Sequence, residues 1–327
     1  MINILITSAG RRVELVQQFI KARNRCCNSS RIVCVDMNVL APALYFADAF
    51  YSVPAINDPQ YVLKLIDICQ KEEIKIIIPT IDTELCILSS NKDLFKRIGT
   101  EVLVSTLETL NTTENKLKTY KFFKSLNIRT PESFGQGMPY HGIFPCFIKP
   151  VNGSSSVNTF KVKNEKELEF FKEYIGDYLI QEFIEGEEYT IDVFCDFYGK
   201  PIFITPRIRL AVRSGEVLKT QIHHNEDLSM QVIKIISKLK PQGPLTIQAI
   251  KNKYDNQYYF IEINARFGGG SPLSMMAGAN SAEALYSLLK GEKVQTKLDA
   301  AKDRLVFSRF DQSIILRQRA DGNYEKY

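Results

Sequence analysis

Several features that would indicate a membrane, nucleic-acid or zinc protein are missing from this 327-residue sequence. No apolar stretch approaches the roughly 20 residues that a membrane-spanning helix needs. The sequence has no run of five or more like charges. Its 42 basic and 37 acidic residues leave a formal charge of +5, too small to indicate a nucleic acid or a membrane as partner. Three histidines leave little room for a zinc site.

The sequence also lacks the cysteine spacing of a disulfide or metal framework. Its seven cysteines are an odd number without paired motifs, which favours reduced, buried thiols. The apolar residues 2–6 precede Arg11 and Arg12, whereas a signal peptide has the opposite order. We therefore expect a cytoplasmic protein. Hydrophobic residues make up 45% and charged residues 24%, as in a globular protein, and the length fits two or three domains.

What the sequence does contain is a regular alternation of strand and helix patterns over the first hundred residues. Strands are predicted at 2–6, 31–36, 74–79 and 102–104, and helices at 13–23, 61–71 and 84–95. This order predicts an α/β, Rossmann-like domain with a parallel sheet over residues 1–105. Thr112 and Thr113 are expected to cap a helix over 116–125.

The rest of the chain is expected to be α+β. Strands are predicted at 146–149, 159–162, 178–181, 189–195, 201–204, 217–222, 245–250, 258–263 and 305–307, with a last apolar segment at 313–316 and helices at 165–174, 228–239 and 282–290. A hairpin at Asp255 and Asn256 is expected to pair the strands at 245–250 and 258–263.

The first predicted turn, residues 8–12, resembles a dinucleotide-binding turn only in part. It has one glycine, Gly10, where the fingerprint has three, so the backbone cannot closely approach a pyrophosphate. Two alternatives remain at this point. Arg11 or Arg12 holds a substrate anion at the helix N-terminus, or the turn is purely structural.

A lysine at a predicted strand end is followed by a small-residue loop. Lys149 precedes Gly153, Ser154, Ser155 and Ser156. An ammonium beside backbone N–H groups and hydroxyls can hold a polyphosphate. The sequence lacks the Walker pattern, and an ordinary surface loop is the alternative.

An acidic segment surrounds a glycine turn at residues 181–192. Its carboxylates, among them Glu182 and Glu188, could accept hydrogen bonds from an adenine amino group or from ribose hydroxyls. The alternative is a solvated acidic turn.

Glu262 and Asn264 lie two residues apart on a predicted strand, so their oxygens point to one face. Gln248 on the partner strand supplies a further oxygen, and Mg²⁺ prefers oxygen ligands. Arg266 is expected on the same face, where it could neutralise an anion. The alternative is a salt bridge between Glu262 and Arg266.

Taken together, these segments resemble the ATP-grasp superfamily, in particular its carbamoyl-phosphate-synthase-like carboxylate–amine ligases. The resemblance covers nearly the whole chain. It implies a preceding α/β domain over 1–105, an ATP-grasp domain of two α+β subdomains over 106–290 with a lid at about 115–185, and a C-terminal tail over 291–327 that packs on the grasp domain.

The resemblance also implies ligands and roles. Nucleotide-binding residues are expected to be Lys116, Lys149, Gly153, Ser154, Ser155, Ser156, Gln181, Glu182, Phe183, Ile184 and Glu188. Magnesium, or alternatively manganese, is expected on Gln248, Glu262 and Asn264. Arg266, Lys149 and Arg213 are expected to act in catalysis, and Arg207, Arg209 and the loop 268–271 to contact substrate.

The implied activity is ligation of a carboxylate to an amine, expected to be an amino acid, through an acyl phosphate with release of ADP. The partners are then small molecules, without nucleic acid or membrane, and a homodimer is compatible with the resemblance. The phosphate loop is poorer in glycine than the family pattern, and Gln248 stands where many members have an acid. Two alternatives are a subunit that phosphorylates bicarbonate and a nucleotide-binding regulatory module without turnover. A nicotinamide oxidoreductase is disfavoured by the single-glycine turn.

Overall fold

The structure is a computed structural model, and it describes residues 1–153 and 157–327. Its first part is a parallel sheet in the order β3-β2-β1-β4-β5. The strands are β1 (Asn3–Ile6), β2 (Ile32–Asp36), β3 (Ala49–Ser52), β4 (Ile74–Ile78) and β5 (Glu101–Val102). The helices are α1 (Val13–Cys26), α2 (Gln60–Lys71), α3 (Leu85–Ser90) and α4 (Lys92–Arg97). The parallel α/β prediction is confirmed.

Both faces of this sheet are covered, which explains why β1 is apolar at nearly every position. Leu5 packs in a core cluster that extends to Ile247 in the second half of the chain. Ile4 faces the other way and packs with Phe19 of α1 and with Leu285. The first sheet is therefore fixed to the rest of the molecule by contacts on both faces.

Two short helices and a four-stranded antiparallel sheet follow. The helices are α5 (Leu107–Thr113) and α6 (Lys116–Ser125). The sheet, in the order β6-β9-β7-β8, contains β6 (Ser133–Gly135), β7 (Cys146–Pro150), β8 (Phe160–Val162) and β9 (Tyr178–Glu182), with α7 (Glu165–Ile175) between β8 and β9. This unit has a small core of its own around Ile148, Leu168 and Ile180.

A six-stranded antiparallel sheet in the order β14-β13-β10-β11-β12-β15 forms the remainder. Its strands are β10 (Gly186–Cys195), β11 (Pro201–Arg213), β12 (Glu216–Ile222), β13 (Gly243–Asn252), β14 (Tyr258–Asn264) and β15 (Val306–Ser308). The helices are α8 (Glu226–Leu239), α9 (Ser271–Met276) and α10 (Ser281–Leu289), and a last hairpin pairs β16 (Leu316–Gln318) with β17 (Tyr324–Lys326).

Two local predictions were wrong. The helix predicted over 84–95 is two helices, because Asn91 donates its side-chain amide to the Ile87 carbonyl and so competes with the backbone. Thr112 and Thr113 do not cap α6. They lie at the end of α5, and the Asn115 side chain caps α6 by accepting from the Lys118 backbone N–H.

The C-terminal segment contacts both large parts of the molecule. Strand β15 pairs with β12 at the edge of the six-stranded sheet. Ile314, Leu316 and Tyr324 pack on the apolar cluster that contains Ile4 and Phe19. The domain limits at residues 105 and 290 stay a prediction. Across the described ranges, no helix has the length and apolar character needed to cross a bilayer.

Candidate active site

A cavity of about 250 Å³ opens between the four-stranded and the six-stranded sheets. It brings together residues that are far apart in the sequence. Of the residues predicted to bind nucleotide or metal, those that line it are Lys116, Lys149, Gly153, Gln181, Glu182, Ile184, Glu188, Gln248 and Glu262. Ser154, Ser155 and Ser156 lie outside the described residues.

Lys149 is the central cation of this cavity. Its side chain, on β7, is only 6% exposed and donates to the Gln181 side-chain oxygen at 2.8 Å. Burial lowers the pKa of Lys149 to about 8, and the nearby Lys116 charge lowers it further while Glu262 opposes this. Among the described residues, no carboxylate oxygen lies within 4 Å of the ammonium. A buried cation without a counterion suits an anionic ligand.

Lys116 reaches the same part of the cavity from the first turn of α6. The Asn115 cap fixes the start of this helix, and the Lys116 ammonium donates to the Gly153 carbonyl at 2.7 Å. Burial lowers the pKa of Lys116, with Glu262 acting in the opposite direction. Two lysines from different elements therefore converge beside the loop that begins at Gly153.

The cavity also has apolar lining residues. They are Ile184, Ala249, Ile250 and Ile261, and the carboxylates of Glu182 and Glu188 line the same cavity. Glu188 lies 3.5 Å from a guanidinium nitrogen of Arg209. This combination of an apolar floor and carboxylates suits a base and a ribose.

Oxygen-bearing side chains lie on adjacent strands at one side of the cavity. Gln248 on β13 is the register partner of Glu262 on β14, and Asn264 donates its side-chain amide to Glu262 at 3.0 Å. Asn264 uses its nitrogen in this bond, so its side-chain oxygen is the atom available for a cation. In the described part of the chain, no group of three or more His, Cys, Asp or Glu residues is arranged to hold a metal ion. The candidate metal site is thus one carboxylate with two amide oxygens.

A second cavity of about 200 Å³ adjoins the first and shares Arg209, Gly215, Gln248 and Glu262 with it. Its wall is rich in arginine. The guanidinium-bearing residues are Arg12, Arg207, Arg209 and Arg266. A run of three glycines, residues 268–270, forms part of the wall and lets these side chains approach the backbone.

Arg266 lies beyond the end of β14 and joins the two halves of the molecule. Its guanidinium donates to Asp82 at 2.7 and 3.0 Å, and Asp82 follows β4 of the parallel sheet. The alternative of a Glu262–Arg266 salt bridge is therefore wrong, because Arg266 pairs with Asp82. Arg207 is buried and donates to Asp192 at 2.7 Å.

Two of the predicted site residues are not brought to either cavity. Phe183 packs against Phe147, and the Lys161 ammonium lies 3.7 Å above its ring. Arg213, at the end of β11, is 57% exposed and bonds to Asp311 at 2.9 Å.

Two residues at this site were not found by the sequence interpretation: Glu216, which lines the second cavity, and Asp82, which accepts hydrogen bonds from Arg266. Asp82 could have been found from its place after a buried parallel strand. In the order β3-β2-β1-β4-β5 the strands β2 and β3 lie on one side of β1, and β4 and β5 lie on the other. Ligands bind open α/β sheets at such a switch point between β1 and β4. Glu216 carries no such signal, because it is the first residue of β12 after an ordinary hairpin turn.

Comparison with known proteins agrees with this geometry. A family model described as "PylC-like, N-terminal domain" matches residues 4–103, and one described as "ATP-grasp domain" matches residues 113–270. The 3-methyl-D-ornithine–L-lysine ligase of Methanosarcina barkeri is 26% identical over 260 residues, which is 78% of this chain and 66% of that relative. The chain thus spans slightly less than two thirds of that ligase.

In two further comparisons, the match covers a larger share of the related protein. A carbamoyl-phosphate synthase of Methanobrevibacter smithii is 23% identical over 83% of this chain and 79% of its own length. A solved biotin carboxylase from Campylobacter jejuni has a TM-score of 0.71 at 19% identity, covering 93% of this chain and 74% of that one. The latter similarity shows the fold. The chain therefore contains an ATP-grasp domain preceded by a PylC-like N-terminal domain, and its curated relatives include amino-acid ligases and a carbamoyl-phosphate synthase.

Proposed function

We propose that this chain joins a carboxylate to an amine, with ATP bound in the first cavity and the carboxylate in the second. The observation that carries the proposal is the junction of the two cavities at Gln248 and Glu262. Lys116 and Lys149 lie at the phosphate end of the first cavity, and the apolar floor receives the base. The terminal phosphate then faces the arginine-rich cavity.

The donor set at the junction fits Mg²⁺, with Mn²⁺ as the alternative. Glu262, Gln248 and Asn264 would hold the ion by oxygen, as hard cations prefer. When bound, the ion neutralises phosphate charge. A single carboxylate leaves much of that charge to Lys116 and Lys149.

The reaction we propose has two steps. A substrate carboxylate oxygen attacks the γ-phosphorus, the bond to the bridging oxygen breaks, and ADP leaves. An amine nitrogen then attacks the acyl carbon, loses a proton and displaces phosphate. Catalysis requires positioning and charge neutralisation by Lys149 and Arg266 rather than a protein nucleophile.

The amine, and by the same reasoning the acid, is proposed to be an amino acid. The Methanosarcina relative is named for joining two amino acids. The four arginines of the second cavity suit a substrate with carboxylate groups.

The direct test is an ADP-release screen across pairs of amino acids, with bicarbonate as a separate arm. We expect ADP release that requires one specific pair. Release with bicarbonate alone would instead favour the phosphorylation of bicarbonate, the alternative to which the carbamoyl-phosphate synthase relative points. Nucleotide binding without ADP release in any arm would favour a regulatory module.

A further inference from the structure

Three of the four arginines around the second cavity have a carboxylate partner within 4 Å. Arg207 is matched by Asp192 at 2.7 Å and Arg266 by Asp82 at 2.7 Å, and Arg209 has Glu188 at 3.5 Å. Among the described residues, no carboxylate oxygen lies within 4 Å of the Arg12 guanidinium.

Arg12 is nevertheless held firmly in the cavity wall. It precedes α1 and donates through Nη2 to the Thr80 carbonyl at 3.1 Å. Arg12 is half-buried and lines the cavity, and burial and then the charge of Arg266 lower the pKa of Arg12 to about 10. A half-buried cation without a counterion within 4 Å is stabilised when a ligand supplies the negative charge.

An acid faces Arg12 across a narrow opening. Glu216 begins β12 and lines the same cavity, and its nearest cation, Arg309, is 4.0 Å away. A Cβ on residue 269 would lie 3.1 Å from Arg12 Nη1 and 3.9 Å from Glu216 Oε1. Gly269 therefore keeps the space between the two charges open, and the charges do not bond to each other.

An α-amino acid carries a carboxylate and an ammonium on one carbon and can thus bridge two such charges. Resting on the proposed ligase function, we propose that Arg12 and Glu216 bind the α-carboxylate and α-ammonium groups of the acyl-donor substrate. The carboxylate is then shared between Arg12 and the neighbouring Arg266. Glu216 keeps the amino group of this substrate protonated and unreactive, so the nucleophile is the amine of the other substrate.

The inference is tested first by binding, without turnover. Calorimetry with Mg-ADP present measures the affinity for each L- and D-α-amino acid of the common set in the wild type, Arg12→Gln, Glu216→Gln and Arg11→Gln. Arg11 is the matched control, because it is adjacent to Arg12 in the sequence and its side chain is 77% exposed. Its ion pair with Asp311 is long, at 3.8 Å. Thermal unfolding confirms folding, and Arg12→Lys keeps the charge should Arg12→Gln fail to fold.

We expect at least one α-amino acid to bind the wild type and Arg11→Gln equally. Its affinity should fall roughly tenfold or more in Arg12→Gln and in Glu216→Gln, the scale of a lost hydrogen bond to a charged group. The analogue of this amino acid that lacks the amino group should bind Arg12→Gln more weakly than the wild type. Its affinity for Glu216→Gln should equal its affinity for the wild type. Absence of α-amino-acid binding, or equal affinity in Arg12→Gln and Arg11→Gln, overturns the inference.

The ADP-release screen separates this inference from the proposed function. An amino acid that binds through both residues but never supports ADP release contradicts the ligase function and leaves the inference intact. ADP release that depends only on carboxylates without an α-amino group overturns the inference and leaves the ligase function intact.

Discussion

The ammonium of Lys149 is buried with a neutral amide as its hydrogen-bond partner. This arrangement favours nucleotide binding but destabilises the protein without nucleotide. Bound phosphate would stabilise the charge, whereas the protein without nucleotide must keep it desolvated. We expect Lys149→Met to weaken Mg-ATP binding by about 2–4 kcal/mol, the scale for breaking a buried charge pair. Calorimetry should show this loss, with Lys161→Met, at the Phe183 ring, as the control that keeps its affinity.

The same substitution should stabilise the protein without nucleotide. The pKa of Lys149 is about 8 in the folded state and has its ordinary, higher value when unfolded, so the unfolded state binds more protons between about pH 8 and 10.5. The buried charge therefore lowers the free energy of unfolding by its full amount below pH 8. This destabilisation disappears as the pH rises to about 10.5. At pH 7 we expect Lys149→Met to raise the free energy of unfolding by about 1–3 kcal/mol in urea titrations.

A variant that is both less stable and weaker in binding would contradict this explanation. The affinity of the wild type for Mg-ATP should also fall as the pH rises above 8, because binding then requires protonation of Lys149. The affinity of Lys149→Met for Mg-ATP should not show this fall above pH 8.

Arg266 and Glu262 are close in sequence, but substituting them should impair different steps. Arg266 is held by two bonds to Asp82 and faces the second cavity, so its role begins after the nucleotide has bound. We expect Arg266→Lys to retain Mg-ATP affinity but lose most turnover, since an ammonium lacks the bidentate geometry. Glu262→Gln should impair both. Nucleotide affinity measured beside turnover decides this, and full activity in Arg266→Lys would refute it.

At the scale of elements, helix α6 positions Lys116 through its cap. Asn115 accepts from the Lys118 N–H at 3.0 Å, and Asn225 caps α8 in the same manner at 2.7 Å. Each alanine substitution should destabilise the protein by about 1 kcal/mol. Only Asn115→Ala should also weaken Mg-ATP binding, because only α6 carries a residue of the cavity. Equal nucleotide affinity in the two variants would show that the cap does not position Lys116.

The elements that could be predicted from the sequence are those with strong periodicity. The buried strands β1, β2 and β4 are short apolar runs between helix patterns, and β13 pairs with β14 as the Asp255–Asn256 turn indicates. Strand β3 was missed because it is half buried at the sheet edge. The break at Asn91 was missed because one side-chain bond decides it within an otherwise helical pattern.

The residues of the candidate site also differ in whether local sequence determines their position. Lys149, Glu262 and Asn264 lie at or near strand ends, where side-chain direction follows from local sequence. Asp82 depends on a contact with Arg266, and Glu216 on a cavity formed by distant segments, so neither is encoded locally. Their discovery required the tertiary structure.

At the scale of the whole molecule, the second cavity requires both large parts of the chain. Arg12, which lies after β1 of the parallel sheet, lines this cavity, and Asp82, which lies after β4, holds Arg266. Glu262 on β14 of the six-stranded sheet and Arg266 just beyond that strand form the opposite contribution. The apolar clusters that join the two parts fix this arrangement. The four-stranded sheet supplies Lys149 to the first cavity only.

This arrangement predicts the products of ATP cleavage. In the proposed assignment Lys116 and Lys149 hold the phosphates, and they line the first cavity together with Glu262, which also lines the second. The apolar residues that suit adenine, such as Ile184 and Ile261, line the first cavity only. The terminal phosphorus is then the one nearest to a carboxylate held by Arg266, and the α-phosphorus is further away. In-line attack should therefore occur at the γ-phosphoryl group. Chromatography of complete reactions should show ADP and phosphate in equal amounts, with no AMP or pyrophosphate. Finding AMP would mean that the nucleotide binds with a different phosphate at the junction, and the assignment of the two cavities would have to be abandoned.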